Sequence, residues 1–172
     1  RHVVRVETPD IPGSSPRHAG IAVCAETLDA AWKGRDALNI EWSQGTQPSL
    51  STETVDRDLV AGLDQEGLSA RDDGDVELVL EDAHQQVQAE YHLPYLSHAT
   101  MEPMNCTVHV QLDRCDIWIG TQGQSRNLDT AVEITGLKPE QIHVHAKYLG
   151  CGLGRRGRID FGHEALQIGK AV

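Results

Sequence analysis

The chain has 172 residues, 39% of them apolar, and carries a net charge of −11 from 26 acidic and 15 basic side chains. That is enough apolar matter for one core and too acidic for a general nucleic-acid surface, which needs a basic face against phosphate. No apolar run reaches the length of a membrane span. The chain opens on Arg1 instead of Met, as expected of a piece of a longer protein or a processed product.

In chain order, residues 1–10 read as a strand carried by Val3, Val4 and Val6, and Pro12-Gly13-Ser14-Ser15-Pro16 as a loop. Gly20–Ala25 is a short apolar run, a second strand. Thr27 caps a helix through Leu28, Ala31 and Trp32 that ends near Asn39. Leu38–Trp42 alternates like an edge strand, and Trp32 and Trp42 are expected to anchor the core. Gln44–Ser49 has turn chemistry, and Thr52–Leu63 reads as an amphipathic helix. The polar stretch after it ends in Asp72-Asp73-Gly74-Asp75, which lacks the ligand spacing of a calcium loop and reads as surface.

Asp75 caps a short helix over Val76–Leu80, and Gln86–Leu93 alternates as a strand. Cys106–Leu112 alternates too, with Cys106, Val108 and Val110 on one side. Asp113-Arg114 turns the chain back into Cys115–Ile119 as a hairpin. Gln124–Ile134 is a helix closed by Gly136, Ile142–His145 a strand, and Asp160–Val172 a final helix. Cys24, Cys106, Cys115 and Cys151 form no C-x-x-C pair; the first three read as buried free thiols at strands, and Cys151 differs because it lies inside the glycine loop. His143 and His145 share a strand face, but no third ligand is fixed by spacing, so hydrogen-bonded histidines are the better reading than a metal pair.

The chemistry concentrates in Leu149-Gly150-Cys151-Gly152-Leu153-Gly154-Arg155-Arg156. Such a loop can turn several peptide N–H groups toward an anion, and two arginines add fixed positive charge. The intervals fit neither a Walker loop nor a dinucleotide fingerprint. Upstream, Gln122 in Gly120-Thr121-Gln122-Gly123 follows a strand and precedes a helix. Its amide either joins the loop donors around an anionic group or caps the helix; the residues alone support both equally.

Four stretches give the chain a family likeness: Ala30–Leu38 with Glu41-Trp42, His92–Thr107, Thr121-Gln122-Gly123, and Leu149–Arg156 with Asp160-Phe161 and Glu164-Ala165. In order and spacing they resemble the molybdenum-binding large subunit of the xanthine oxidase family, in the branch of isoquinoline 1-oxidoreductase beta subunits and bacterial aldehyde dehydrogenases. The resemblance implies hydroxylation of aldehydes or N-heterocycles with water as the oxygen source. It implies a molybdenum pterin cofactor, in bacteria the molybdopterin cytosine dinucleotide. Gln122 would approach that group, and Gly152, Leu153 and Gly154 would meet an oxo ligand and the pterin, with Arg155 beside them. His98 and Glu102 fall in a matching segment and read as packing or channel residues. Leu153 stands where the family often has Phe, and Cys151 where it often has Gly, a change that would crowd the turn if φ is positive there.

The fold class expected is α+β: a partial hammerhead-like unit over 1–45, a linker or surface crossing over 46–74, and the start of a molybdopterin-binding domain over 75–172. No catalytic residue and no direct metal ligand is expected in this stretch, because the resemblance puts the general-base glutamate beyond residue 172. Implied partners are the remainder of the large subunit, a small 2Fe–2S subunit and an electron acceptor such as a cytochrome; the sequence leaves the compartment, bacterial periplasm or cytoplasm, undecided. The rival reading is a stand-alone phosphate- or nucleotide-binding module resting on Arg155 and Arg156.

Overall fold

A computed structural model of the chain describes residues 2–7, 19–43, 45, 47–71 and 73–172. The Pro12–Pro16 loop, Gln44 and Thr46 of the expected turn, and Asp72 of the acidic run lie outside the described residues. Contacts divide the chain into two units, Arg1–Leu38 with Tyr95–Val172, and Asn39–Pro94.

In the first unit, β1 (His2–Val6) and β2 (Gly20–Cys24) pair antiparallel with His2 opposite Cys24. Alternation buries Val4 and Val6 on one side of β1. Helix α1 (Leu28–Asp36) starts where the sequence indicated, with Thr27 Oγ1 accepting from the Ala30 N–H at 3.2 Å. It stops at Asp36. Trp32 remains 54% exposed, so it is not the core anchor expected of it, and α1 buries none of its side chains fully.

The three-stranded sheet is built from β3 (Cys106–Val110), β4 (Cys115–Ile119) and β5 (Ile142–Ala146), in the order β3-β4-β5. β3 and β4 form the expected hairpin, with Val110 opposite Cys115. β5 lies parallel to β4, with Cys115 beside Ile142. A parallel neighbour needs a crossover, and α4 (Gln124–Thr135) provides it, ending at Gly136 with φ 76°. Helix α5 (Asp160–Ala171) follows the last loop.

The core is Cys115, Ile117 and Ile119 of the central strand, with Ala131, Ile142, Phe161 and Leu166 packed on them. Two glycines let α5 approach α4 and the sheet closely. A Cβ on Gly162 would lie 2.4 Å from Asn127 Oδ1, and one on Gly169 would lie 2.5 Å from Val108 Cγ2. The other flank of α5 meets the N-terminal strands. Glu7 N–H donates to Gln167 Oε1 at 2.8 Å, and Gln167 Nε2 donates back to Glu7 O at 2.7 Å.

In the second unit, α2 (Thr52–Gly62) begins with a reciprocal cap between Ser51 and Thr54. Asp75 accepts from the Leu78 N–H at 3.0 Å to start α3 (Val76–Glu81). Neither helix buries a residue. Two expected strands are corrected here: neither Leu38–Trp42 nor Gln86–Leu93 forms one, and Trp42 is 65% exposed. Alternation makes a strand only where a neighbour pairs with it. Among the described residues, β1 pairs with β2 and β3, β4 and β5 with one another. No helix of the described residues is long and apolar enough to cross a membrane.

Candidate functional site

The parallel pair sets the site. β4 and β5 run the same way, so their carboxyl ends release the chain at one edge, where open α/β sheets bind ligands. β4 releases Gly120–Gly123, and β5 releases the stretch that becomes the glycine loop. Lys147 N–H donates to Ile119 O at 2.9 Å and keeps the two exits side by side.

Gln122 lies against the loop. A Cβ on Gly152 would sit 3.1 Å from Gln122 Oε1, so glycine lets the amide approach the main chain. Gln122 does not cap α4: the cap position is Gly123, and no side chain closes that end. Thr121 shapes the turn, its Oγ1 accepting from Gly123 N–H at 3.0 Å and from Asn127 Nδ2 at 3.1 Å.

The loop is held in an uncommon backbone conformation. Cys151 has φ 76°, Leu153 φ 50° and Gly154 φ 89°. The left-handed region costs an L-residue roughly 1–2 kcal/mol, and such strain persists where the surroundings enforce it. Among the described residues, the N–H groups of Cys151, Gly152, Leu153 and Gly154 make no hydrogen bond. Cys151 and Leu153 are exposed, Leu153 at 71%. The result is a run of main-chain donors with no partner among the described residues beside a side-chain amide, which is chemistry for an oxygen-rich, negatively charged group.

Arg156, fully buried, is what enforces it. Its Nε donates to Cys151 O at 2.7 Å, and its Nη1 to Gly120 O at 3.4 Å. Its Nη2 donates to the backbone oxygen of Glu102 and to Glu102 Oε2, both at 2.8 Å. Its own carbonyl accepts from Gln122 N–H at 3.0 Å and Thr121 Oγ1 at 3.2 Å. Glu102 Oε2 also accepts the Gly150 N–H at 2.8 Å, and Asn105 Nδ2 donates to its Oε1 at 2.8 Å. Asn105, then the Gly150 N–H and the Arg156 charge, hold the Glu102 carboxyl below the usual carboxylate range. Arg155 is engaged as well: its Nη1 and Nη2 fork onto Asp160 at 2.9 and 2.7 Å.

Gln122, Gly152, Leu153 and Gly154 therefore sit together, whereas the Arg155 guanidinium turns to Asp160. Sequence reading missed the Glu102–Arg156 pair. Its only trace was a charged residue at each end of a separation of 54 positions. On the outer face of the sheet, His145 Nε2 meets Asp116 Oδ1 at 2.8 Å and its ring stacks on Trp118. Arg114, with help from His145, pushes the Asp116 carboxyl far below its ordinary range. Among the described residues no three metal-ligating side chains gather in one place.

A family model described as a molybdopterin cofactor-binding domain matches residues 63–167. The chain is 28% identical over 155 residues to a membrane-bound aldehyde dehydrogenase (pyrroloquinoline-quinone) of Gluconacetobacter polyoxogenes, covering 88% of this chain and 20% of that protein. It is 25% identical over 167 residues to the isoquinoline 1-oxidoreductase subunit beta of Brevundimonas diminuta, covering 89% of this chain and 21% of that protein. The chain thus spans about a fifth of the length of these curated relatives. No solved structure matches it significantly. With the family model covering more than half of its residues, the chain belongs to the molybdopterin cofactor-binding domain family.

Proposed function

We propose that this chain is part of the catalytic subunit of a molybdenum-dependent oxidoreductase, and that it supplies one wall of the cofactor site. The residues fit that group. Gln122 offers an amide, and Gly152, Leu153 and Gly154 offer main-chain N–H groups with no partner among the described residues. Gly152 leaves the space that a Cβ beside Gln122 Oε1 would fill. Arg155 contributes by holding the loop onto α5 through Asp160. When bound, the molybdenum pterin would supply the redox chemistry, and this chain would bind and orient it. The observation that carries the reading is the convergence of Gln122 with the 152–154 backbone at the carboxyl edge of β4 and β5.

Several finer assignments belong to the same proposal. The cofactor is the cytosine dinucleotide form of molybdopterin. The reaction is hydroxylation of an aldehyde or an N-heterocycle with water as the oxygen source. Residues 1–45 are the end of a hammerhead-like small domain, 46–74 a crossing, and 75–172 the start of the molybdopterin-binding domain. The partners are the remainder of the large subunit, a small 2Fe–2S subunit and an electron acceptor such as a cytochrome. A phosphate-binding module is disfavoured, because Arg156 is buried on carbonyl oxygens and Arg155 is paired with Asp160. One relative is named for pyrroloquinoline quinone, which gives the test its second arm. Purified full-length protein should contain molybdenum, pterin and releasable cytidine monophosphate in equal amounts. Protein carrying the quinone and no molybdenum would overturn the proposal.

A further inference from the structure

The Glu102 carboxylate is the one acidic group bonded to the buried Arg156 among the described residues. A guanidinium removed from water needs such a partner, and breaking the pair strands the charge. Through Oε2 the same carboxylate also takes the Gly150 N–H, so one oxygen bridges the start of the loop and the arginine that ties down its end. Gly150 is shaped for this contact, since a Cβ there would lie 2.4 Å from Glu102 Cβ. Asn105 Nδ2 on Oε1, and Thr100 Oγ1 on the Glu102 carbonyl at 2.9 Å, fix the segment that presents the carboxylate. The chain therefore closes a circuit from Glu102 to Gly150, along the loop to Arg156, and back to Glu102, with a branch from the Arg156 carbonyl to Gln122 N–H.

We infer that Glu102 is a positioning residue: its pairing with Arg156 sets the direction of the loop amides and the place of Gln122 before any cofactor arrives. The inference rests on the reading of this loop as the cofactor's seat, and it assigns no chemistry to Glu102 itself. A preformed cradle binds more tightly than one that must be ordered on binding. A partner that orients the groups touching a metal centre typically changes affinity about 10–100-fold when lost.

The test compares Glu102→Gln with Ile117→Val in the full-length protein. The second variant trims the core away from the loop and matches a general loss of thermal stability. Molybdenum and pterin content should fall about tenfold or more in Glu102→Gln and stay at the wild-type level in Ile117→Val. Residue-resolved hydrogen exchange gives an independent readout. Gly150, Arg155 and Gln122 N–H groups should all exchange faster in Glu102→Gln, because the circuit opens as a unit. Acceleration at Gly150 alone, or the same acceleration in both variants, would overturn the inference. Should Glu102→Gln fail to accumulate, Glu102→Asp keeps the charge but cannot reach both partners, and the same outcomes decide. If wild-type protein holds neither molybdenum nor pterin, the proposed function fails, while the exchange data still judge the circuit.

Discussion

Helices α2 and α4 make an instructive pair. α2 has the better start, a reciprocal cap between Ser51 and Thr54, yet it buries nothing. α4 has no side chain on its cap position, yet it buries Asn127, Thr130 and Ala131. Isolated helices of this length are marginal in water, so burial and not capping decides which one carries stability. The bare start of α4 has a further effect. It leaves main-chain donors open at the edge where Gln122 and the glycine loop meet. One helix closes its start with a side-chain cap, and the other has none.

The largest expected effect tests that contrast directly. Ile117→Ala, in the fully buried centre of β4, should cost about 3–4 kcal/mol by urea denaturation. Leu59→Ala, on an exposed position of α2, should stay within about 0.5 kcal/mol. Equal losses would mean that the two regions are held alike. Gly162→Ala comes next. The new methyl would press on Asn127 Oδ1 and Ile119 Cδ1 and should destabilise by about 1–3 kcal/mol, read in the same experiment.

Ser51→Ala should cost α2 about 1 kcal/mol. Because α2 buries none of its residues, the loss should show as faster amide exchange over residues 52–62 and leave exchange over residues 115–119 unchanged. A shift in the global transition would contradict the separation of the two regions. The smallest effect belongs to the loop. Cys151→Gly relieves about 1–2 kcal/mol of left-handed strain and forfeits about 0.5–1 kcal/mol in unfolded-chain entropy. A net gain of about 0.5 kcal/mol is expected, and a loss would show that the thiol is doing something that φ does not explain.

Local chemistry was legible in the chain. Thr27, Asp75 and Gly136 mark helix ends because caps and left-handed closures depend on a few neighbouring residues. The hairpin of β3 and β4 was legible for the same reason, whereas the strain at Cys151 was expected only on condition of a positive φ, which the backbone supplies. Alternation at Leu38–Trp42 and Gln86–Leu93 misled, because a strand is a relation between two segments and the pattern describes only one. The site was half legible: Gln122 and the loop stood out by residue type. What holds them, Glu102 against Arg156, depends on contacts across 54 positions, and Arg155 was drawn to Asp160 by a pairing that spacing alone did not single out.

The account depends most on Gln122 touching the cofactor beside Gly152. The molybdenum-to-protein ratio of full-length Gln122→Ala measures it directly. Loss of a group that binds or orients the centre should lower that ratio about tenfold while the fold survives, since Gln122 is exposed and does not cap α4. A ratio equal to that of the unmodified protein would contradict the account.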